Sequence, residues 1–220
     1  MKSLAKAGAF VLLVALLCWA LLPGEINLRS AWPLGPRYNA DFGIKDIVSS
    51  VDKDGDGVDD QSDILAGAKA YVATEPTYKS AYYDGGYPTD GYGVCTDVVA
   101  QGLLAAGYDL RALVNADIRQ APEAYGGITP DSNIDFRRVV NLRVYFSRHA
   151  VALTTDLDEI DQWQGGDIVI FRDHIGIVSD KRNNRGVPYL IHHYSTHQKT
   201  YEENTLSHWG EIYGHYRVST

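Results

Sequence analysis

The hydrophobic pattern of this chain changes period once, after residue 150. Before that point apolar residues recur at helical spacing. Residues 95–106 place Val98, Val99, Leu103 and Ala106 on one face, and Gly107 closes the helix. Residues 63–74 read as a helix that starts at Asp63 and stops before Pro76. Leu110–Gln120 and Phe136–Ala150 read as two more. Beyond residue 150 come short β-rich runs at Asp167–Phe171, His174–Ser179, Tyr189–His193 and Ile212–Val218, separated by turn residues. Helices first and strands afterwards predict an α+β fold, its helices packed on one antiparallel sheet.

The amino-terminal end constrains where that fold works. Two lysines, Lys2 and Lys6, precede an apolar run from Ala7 to Leu22, and Pro23-Gly24-Glu25 follows. This pattern predicts a signal peptide or membrane anchor over residues 1–22, with the remainder outside the cytoplasm. The small-x-small site Cys18-Trp19-Ala20 lies inside the run, which favours an uncleaved anchor in the membrane. Residues 23–51 carry Pro23, Pro33 and Pro36 and read as a linker ending in a short helix or turn near Ile44–Val51. Residues 77–94, rich in Tyr and Gly, read as loop.

The 220 residues have a net charge of −8, and no basic run exceeds two residues. Phosphate neutralisation needs a basic face, so nucleic acid is excluded as the main partner. Only two cysteines are present, and Cys18 lies in the leader. The folded part therefore has Cys95 alone, with no internal disulfide and no zinc site built on paired cysteines.

Residues 52–63 follow the spacing of a calcium loop. Carboxylates at loop positions 1, 3 and 5 converge when a glycine at position 6 makes the sharp turn. Those residues are Asp52, Asp54, Asp56 and Gly57. Val58 would add a backbone carbonyl, Asp60 a direct or water-mediated ligand, and Asp63 the closing carboxylate. The expected cofactor is a structural Ca2+, with none required for chemistry. The loop is similar to those of dockerin and thrombospondin-type repeats, which tolerate Asp at the closing position. The competing reading is a solvated acidic turn.

Cys95 opens a helix after Gly91-Tyr92-Gly93-Val94. A helix N-terminus offers free N–H groups and a positive dipole end, both of which favour thiolate. Downstream, His174 and His192-His193 lie in two strands that neighbour each other in sequence. A cysteine, a histidine base and a third polar residue that orients the ring can assemble an activated nucleophile. The same three could also bind a metal, a weaker reading without further ligands.

These residues carry a resemblance. The cysteine opening a helix, Gly166-Asp167-Ile168-Val169-Ile170, His174-Ile175-Gly176-Ile177-Val178 and Ile191-His192 are together similar to the NlpC-type cell-wall cysteine peptidases of the papain-like superfamily. More closely, four segments resemble an uncharacterised family of exported bacterial proteins thought to be an NlpC-like branch. They are residues 94–99 (VCTDVV), 133–139 (NIDFRRV), 174–180 (HIGIVSD) and 214–217 (GHYR). The resemblance implies a papain-like fold over residues 63–220 in which the Cys helix packs on the sheet. It makes Cys95 the nucleophile, His174 the general base and His192 the orienting residue.

Four further residues are candidates for substrate binding. Arg137 and Arg138 could clamp a carboxylate bidentately or pair at a helix end. Asp97 could hold a substrate ammonium or cap its own helix. Tyr92, three residues from the thiol, could face the site, among the loop tyrosines Tyr78, Tyr82, Tyr83 and Tyr87. His215 reads as structural, and His149, His197 and His208 as surface residues. The expected function is an exported cysteine hydrolase acting on an amide bond of peptidoglycan stem peptides. The alternatives are a calcium-stabilised, non-catalytic wall-binding module and an acyltransferase with the same triad. The expected location is the outer face of the cytoplasmic membrane, the cell wall or the periplasm.

Overall fold

Ile168-Val169-Ile170-Phe171 is apolar without alternation, the signature of a strand covered on both faces. In the computed structural model, which describes residues 35–219, this run is strand β4 (Ile168–Phe171), with every residue buried. It lies inside a six-stranded antiparallel sheet. The other strands are β3 (Val151–Ala152), β5 (Ile175–Arg182), β6 (Pro188–Ile191), β7 (Glu202–Glu203) and β8 (Ile212–Arg217). The spatial order is β3-β8-β4-β5-β6-β7. A separate parallel pair joins β1 (Thr77–Tyr78) to β2 (Tyr92–Gly93), within the segment expected to be loop.

Four α-helices stand among the described residues: α1 (Asp60–Val72), α2 (Cys95–Ala105), α3 (Leu110–Gln120) and α4 (Val139–His149). The chain is therefore a mixed α+β protein with an antiparallel sheet, as its change of period predicts. One face of the sheet (Ile168, Ile170, Ile175, Ile177, Ile191) joins Val98, Val99 and Leu103 of α2 in the main core. The opposite face (Val169, Phe171, Val178, Leu190) packs with Trp163 and Leu206. Helices α1 and α2 cross closely because glycines stand at the contact. A Cβ at Gly67 would lie 2.4 Å from the Ala105 Cβ, and one at Gly102 would lie 2.9 Å from the Ile64 carbonyl oxygen.

Several boundaries differ from expectation. Helix α1 starts three residues before Asp63, because Asp59 accepts the Ser62 N–H and serves as its N-cap. The expected helix over Phe136–Ala150 is broken: a 3-10 turn at Asp135–Arg137 is followed by an extended Arg138 before α4 begins. The leader expectation for residues 1–22 and most of the linker fall outside the described residues. From residue 36 onward the linker expectation is corrected. Arg37 pairs with Arg182 through reciprocal backbone hydrogen bonds of 2.8 and 2.7 Å. Asn39 is buried, donates to Gln164 at 2.8 Å and accepts from the Arg182 guanidinium. The turn expected near Ile44–Val51 sits instead at Asn39–Phe42 as a 3-10 turn. Arg182 is buried, forms no ion pair among the described residues, and donates to the carbonyls of Ile160, Trp163 and Gly186. Those bonds explain why this stretch is docked on the body: it helps to satisfy a buried guanidinium.

Candidate functional site

Helix α2 begins at Cys95 because Val94 is extended and Asp97, at the third helical position, accepts the Val94 N–H at 2.8 Å. This is half of a capping box. Asp97 is held in turn by Arg137, whose Nε and Nη2 reach its two oxygens at 2.8 Å each. Both side chains are buried. Arg137 also donates to the Ala81 carbonyl and lies over the Tyr83 ring. The start of the Cys95 helix is thus tied to a loop and to the segment before α4 by one fixed ion pair.

His174 immediately precedes β5, and His192 immediately follows β6. Their strands pair antiparallel with Ile177 opposite Ile191. His174 is three residues before that pair and His192 one residue after it. Both offsets are odd, so the two histidines fall on the same sheet face as diagonal neighbours. The register delivers the contact: His174 Nε2 lies 2.9 Å from His192 Nδ1. His192 is fully buried, and its other nitrogen lies 3.2 Å from Glu203 Oε2. His193 falls on the opposite face, edge-on to Tyr78 and Tyr201, and its buried Nδ1 has no hydrogen-bond partner. Between the two adjacent histidines, His192 is therefore the one that contacts His174.

Cys95, half-buried, and His174 line one open cavity of about 520 Å³. Its walls include Tyr78, His193, Phe171 and Trp209, with Arg172, Asp173 and Glu211 at charged positions. Burial pushes the Cys95 thiol up to about 11, although the Ile175 backbone N–H pulls the other way. Burial also drives the His174 imidazole down to about 3, with His192 and His193 adding to the shift. Burial thus opposes charge on both groups, against the pull of the helix end towards thiolate. Desolvation outweighs the dipole at this position.

None of the four expected substrate contacts lines this cavity. Asp97 and Arg137 neutralise each other inside the protein and do not line the cavity. Arg138 is exposed and pairs with Asp135 at 3.1 Å. Tyr92 is also absent from the cavity wall and sits under the Lys79 ammonium, 4.3 Å from its ring centroid. Of the loop tyrosines, Tyr78 reaches the cavity. His215 is structural, stacked on Trp163 with centroids 3.7 Å apart and bonded to Asp167 at 3.0 Å. His197 and His208 are exposed, as is His149, which pairs with Asp117.

In the acidic loop, Asp52, Asp54 and Asp56 each offer an oxygen within 4.8 Å of the others. Asp52 accepts the N–H groups of Gly55 and Gly57 at 2.7 and 3.0 Å. Gly57 has φ of 95°, a conformation that only glycine adopts without strain. Burial, and then the carboxylates of Asp56, Asp54 and Asp52, raise Asp63 above the ordinary carboxylate range. Its Oδ2 is buried without a hydrogen-bond partner. Asp60 does not join this group. It is fully buried and accepts from the Lys53 N–H and the Tyr108 hydroxyl, which corrects its expected place as a ligand. Val58 is exposed and donates its N–H to Asp56.

Two residues of the site had no sequence signal. Glu203 reaches His192 because residues 194–201 fold back and β7 pairs with β6. Trp209 reaches His174 through the 3-10 turn at Leu206–His208. Neither lies at a spacing that any motif fixes.

No solved structure matches this chain. The "Uncharacterized protein YijF" of Escherichia coli (strain K12) is 39% identical to it over 167 residues, which covers 70% of this chain and 80% of that protein. Residues 65–218 match the family described as "Domain of unknown function (DUF1287)". That span holds Cys95, His174, His192 and Glu203, and the chain belongs to this family.

Proposed function

We propose that this chain is an exported cysteine hydrolase of the NlpC type, with a papain-like arrangement of helix and sheet. The observation that carries the reading is the shared cavity: Cys95 at a helix start and His174 line it together, and His174 is bonded to His192. The proposed substrate is an amide bond in a peptidoglycan stem peptide. The apolar leader supports a site of action outside the cytoplasm, at the membrane face or in the wall.

In this mechanism Cys95 Sγ attacks the amide carbonyl carbon while the thiol proton passes to His174. Transfer accompanies attack, because burial disfavours the separated ion pair. The Cys95 backbone N–H, in the first turn of the helix, is the donor proposed for the developing oxyanion. Collapse of the tetrahedral intermediate breaks the C–N bond, and His174 returns its proton to the departing amine. Water then attacks the thioester with His174 as base, which releases the acid and restores the thiol.

Incubation of the protein with purified muropeptides, with products read by mass, tests this. Wild type should cleave, and Cys95→Ala and His174→Ala should not. Turnover undiminished in Cys95→Ala would refute the mechanism, and no turnover by wild type on any wall fragment would favour a binding module.

The acidic loop is proposed to hold a structural calcium ion. The convergent oxygens of Asp52, Asp54 and Asp56 and the unpartnered Oδ2 of Asp63 support this donor set. All four are hard oxygens, the ligand type calcium takes.

A further inference from the structure

The tautomer of His174 follows from three atoms. A carboxylate only accepts hydrogen bonds, and a neutral imidazole has one N–H and one accepting nitrogen. Glu203 Oε2 lies 3.2 Å from His192 Nε2, so that nitrogen is the one that carries hydrogen. His192 Nδ1 is then the acceptor. His174 Nε2, 2.9 Å away, must be the donor. The remaining nitrogen of His174, Nδ1, is left with its lone pair free.

We propose that Glu203 is a positioning residue which, through His192, fixes the tautomer of His174 and makes Nδ1 its basic nitrogen. This rests on the reading of Cys95 and His174 as nucleophile and base, since it specifies which nitrogen receives the thiol proton. Without Glu203, His192 could carry its hydrogen on Nδ1. His174 would then have to accept at Nε2 and hold its own hydrogen on Nδ1, where it could take no proton from sulfur. His192 is fully buried, so water cannot readily replace the lost acceptor.

Glu203 is itself held for this work. The Thr200 hydroxyl donates to its Oε1 at 3.0 Å, which leaves Oε2 for His192. Strand pairing sets Glu203 opposite Leu190, two residues before His192. Its neighbour Glu202 faces Ser179 and Lys181 instead, so the two adjacent glutamates have separate partners. When His174 takes the thiol proton, its Nε2–H still points at His192 and the Glu203 carboxylate lies behind. The relay orients a positive charge without a second proton moving.

Nitrogen NMR of 15N-histidine-labelled protein reads the tautomers directly and needs no substrate. In wild type at neutral pH, His174 and His192 should both carry hydrogen on Nε2. In Glu203→Leu a substantial fraction of His174 should carry it on Nδ1, and alkylation of Cys95 by iodoacetamide should slow about tenfold or more. Glu203→Gln, whose amide oxygen still accepts, should restore both readouts. Glu203→Ala serves if the leucine variant does not fold. An unchanged His174 tautomer in a folded variant lacking the carboxylate overturns the proposal. If the tautomer shifts while no variant, nor wild type, cleaves wall peptides, the relay stands and the hydrolase reading fails.

Discussion

Trp209 lies against His174 with ring centroids 4.1 Å apart and 28° between the planes. The same indole stands edge-on to His192 at 5.0 Å and tilted on Phe171 at 6.1 Å. It therefore covers the hydrogen bond between the two histidines on the cavity side. Excluding water from that bond strengthens it, because a competing donor cannot insert.

From this contact, Trp209→Ala should lower kcat about tenfold, equivalent to about 1.4 kcal/mol of transition-state stabilisation. Trp209→Phe should retain most of the activity, since a phenyl ring still covers the bond. Steady-state kinetics on a muropeptide, with circular dichroism to verify folding, separates the two variants. A KM effect with unchanged kcat would make Trp209 a substrate contact instead.

The buried histidines predict acid sensitivity. Burial lowers His174 to about 3, and His192 and His193 to about 4 each. In an unfolded chain an imidazole takes its proton near pH 6.5. Between these values the unfolded state binds more protons, so stability falls as pH falls from about 6.5 towards 4. Each histidine contributes up to about 1.4 kcal/mol per pH unit. Urea unfolding at pH 7, 6 and 5 should show this slope, and His193→Asn should flatten it by one histidine's share. Identical slopes in the two proteins would mean that His193 is not held neutral.

The ion pair between Asp97 and Arg137 predicts a stability effect without a binding effect. Removal of one partner strands a buried charge and costs about 3–5 kcal/mol. Arg137→Met should lower the unfolding free energy by that amount, while KM for any cleaved peptide stays unchanged in the folded fraction. A raised KM at full stability would return Arg137 to the substrate site.

How far the sequence alone reached depends on the distance over which each contact closes. Leu110–Gln120 is a helix with the bounds its pattern predicts, because its apolar face needs only local periodicity. Strand β4 was legible for the same reason. Cys95 and His174 were legible because a helix start and a strand start are local features too. Asp97 as a cap was also local, but its partner is 40 residues away, and no spacing states that Arg137 would be buried beside it. Asp60 fits a loop pattern, yet the Tyr108 hydroxyl, 48 residues on, takes its carboxylate. Glu203 and Trp209 belong to a returning segment whose path is set by strand pairing rather than by any repeat in the sequence.

Calcium supplies the last prediction. Asp52, Asp54 and Asp56 place three carboxylates within 4.8 Å of one another, and such charges repel unless a cation sits among them. The loop leads directly into α1, which packs on the Cys95 helix, so an ion here would couple to the stability of the whole layer. At a free concentration of about 100 times Kd, binding adds about 2.7 kcal/mol to the folding free energy. For a chain of this size that raises Tm by roughly 5–10 °C. Calcium added to chelated protein should produce the shift, and Asp54→Ala should abolish it. Turnover of chelated protein, measured well below its Tm, should be largely retained, since neither Cys95 nor His174 touches the loop. No change in Tm across millimolar calcium would leave the acidic segment a solvated turn, and lost turnover in folded, chelated protein would bring the ion into the chemistry.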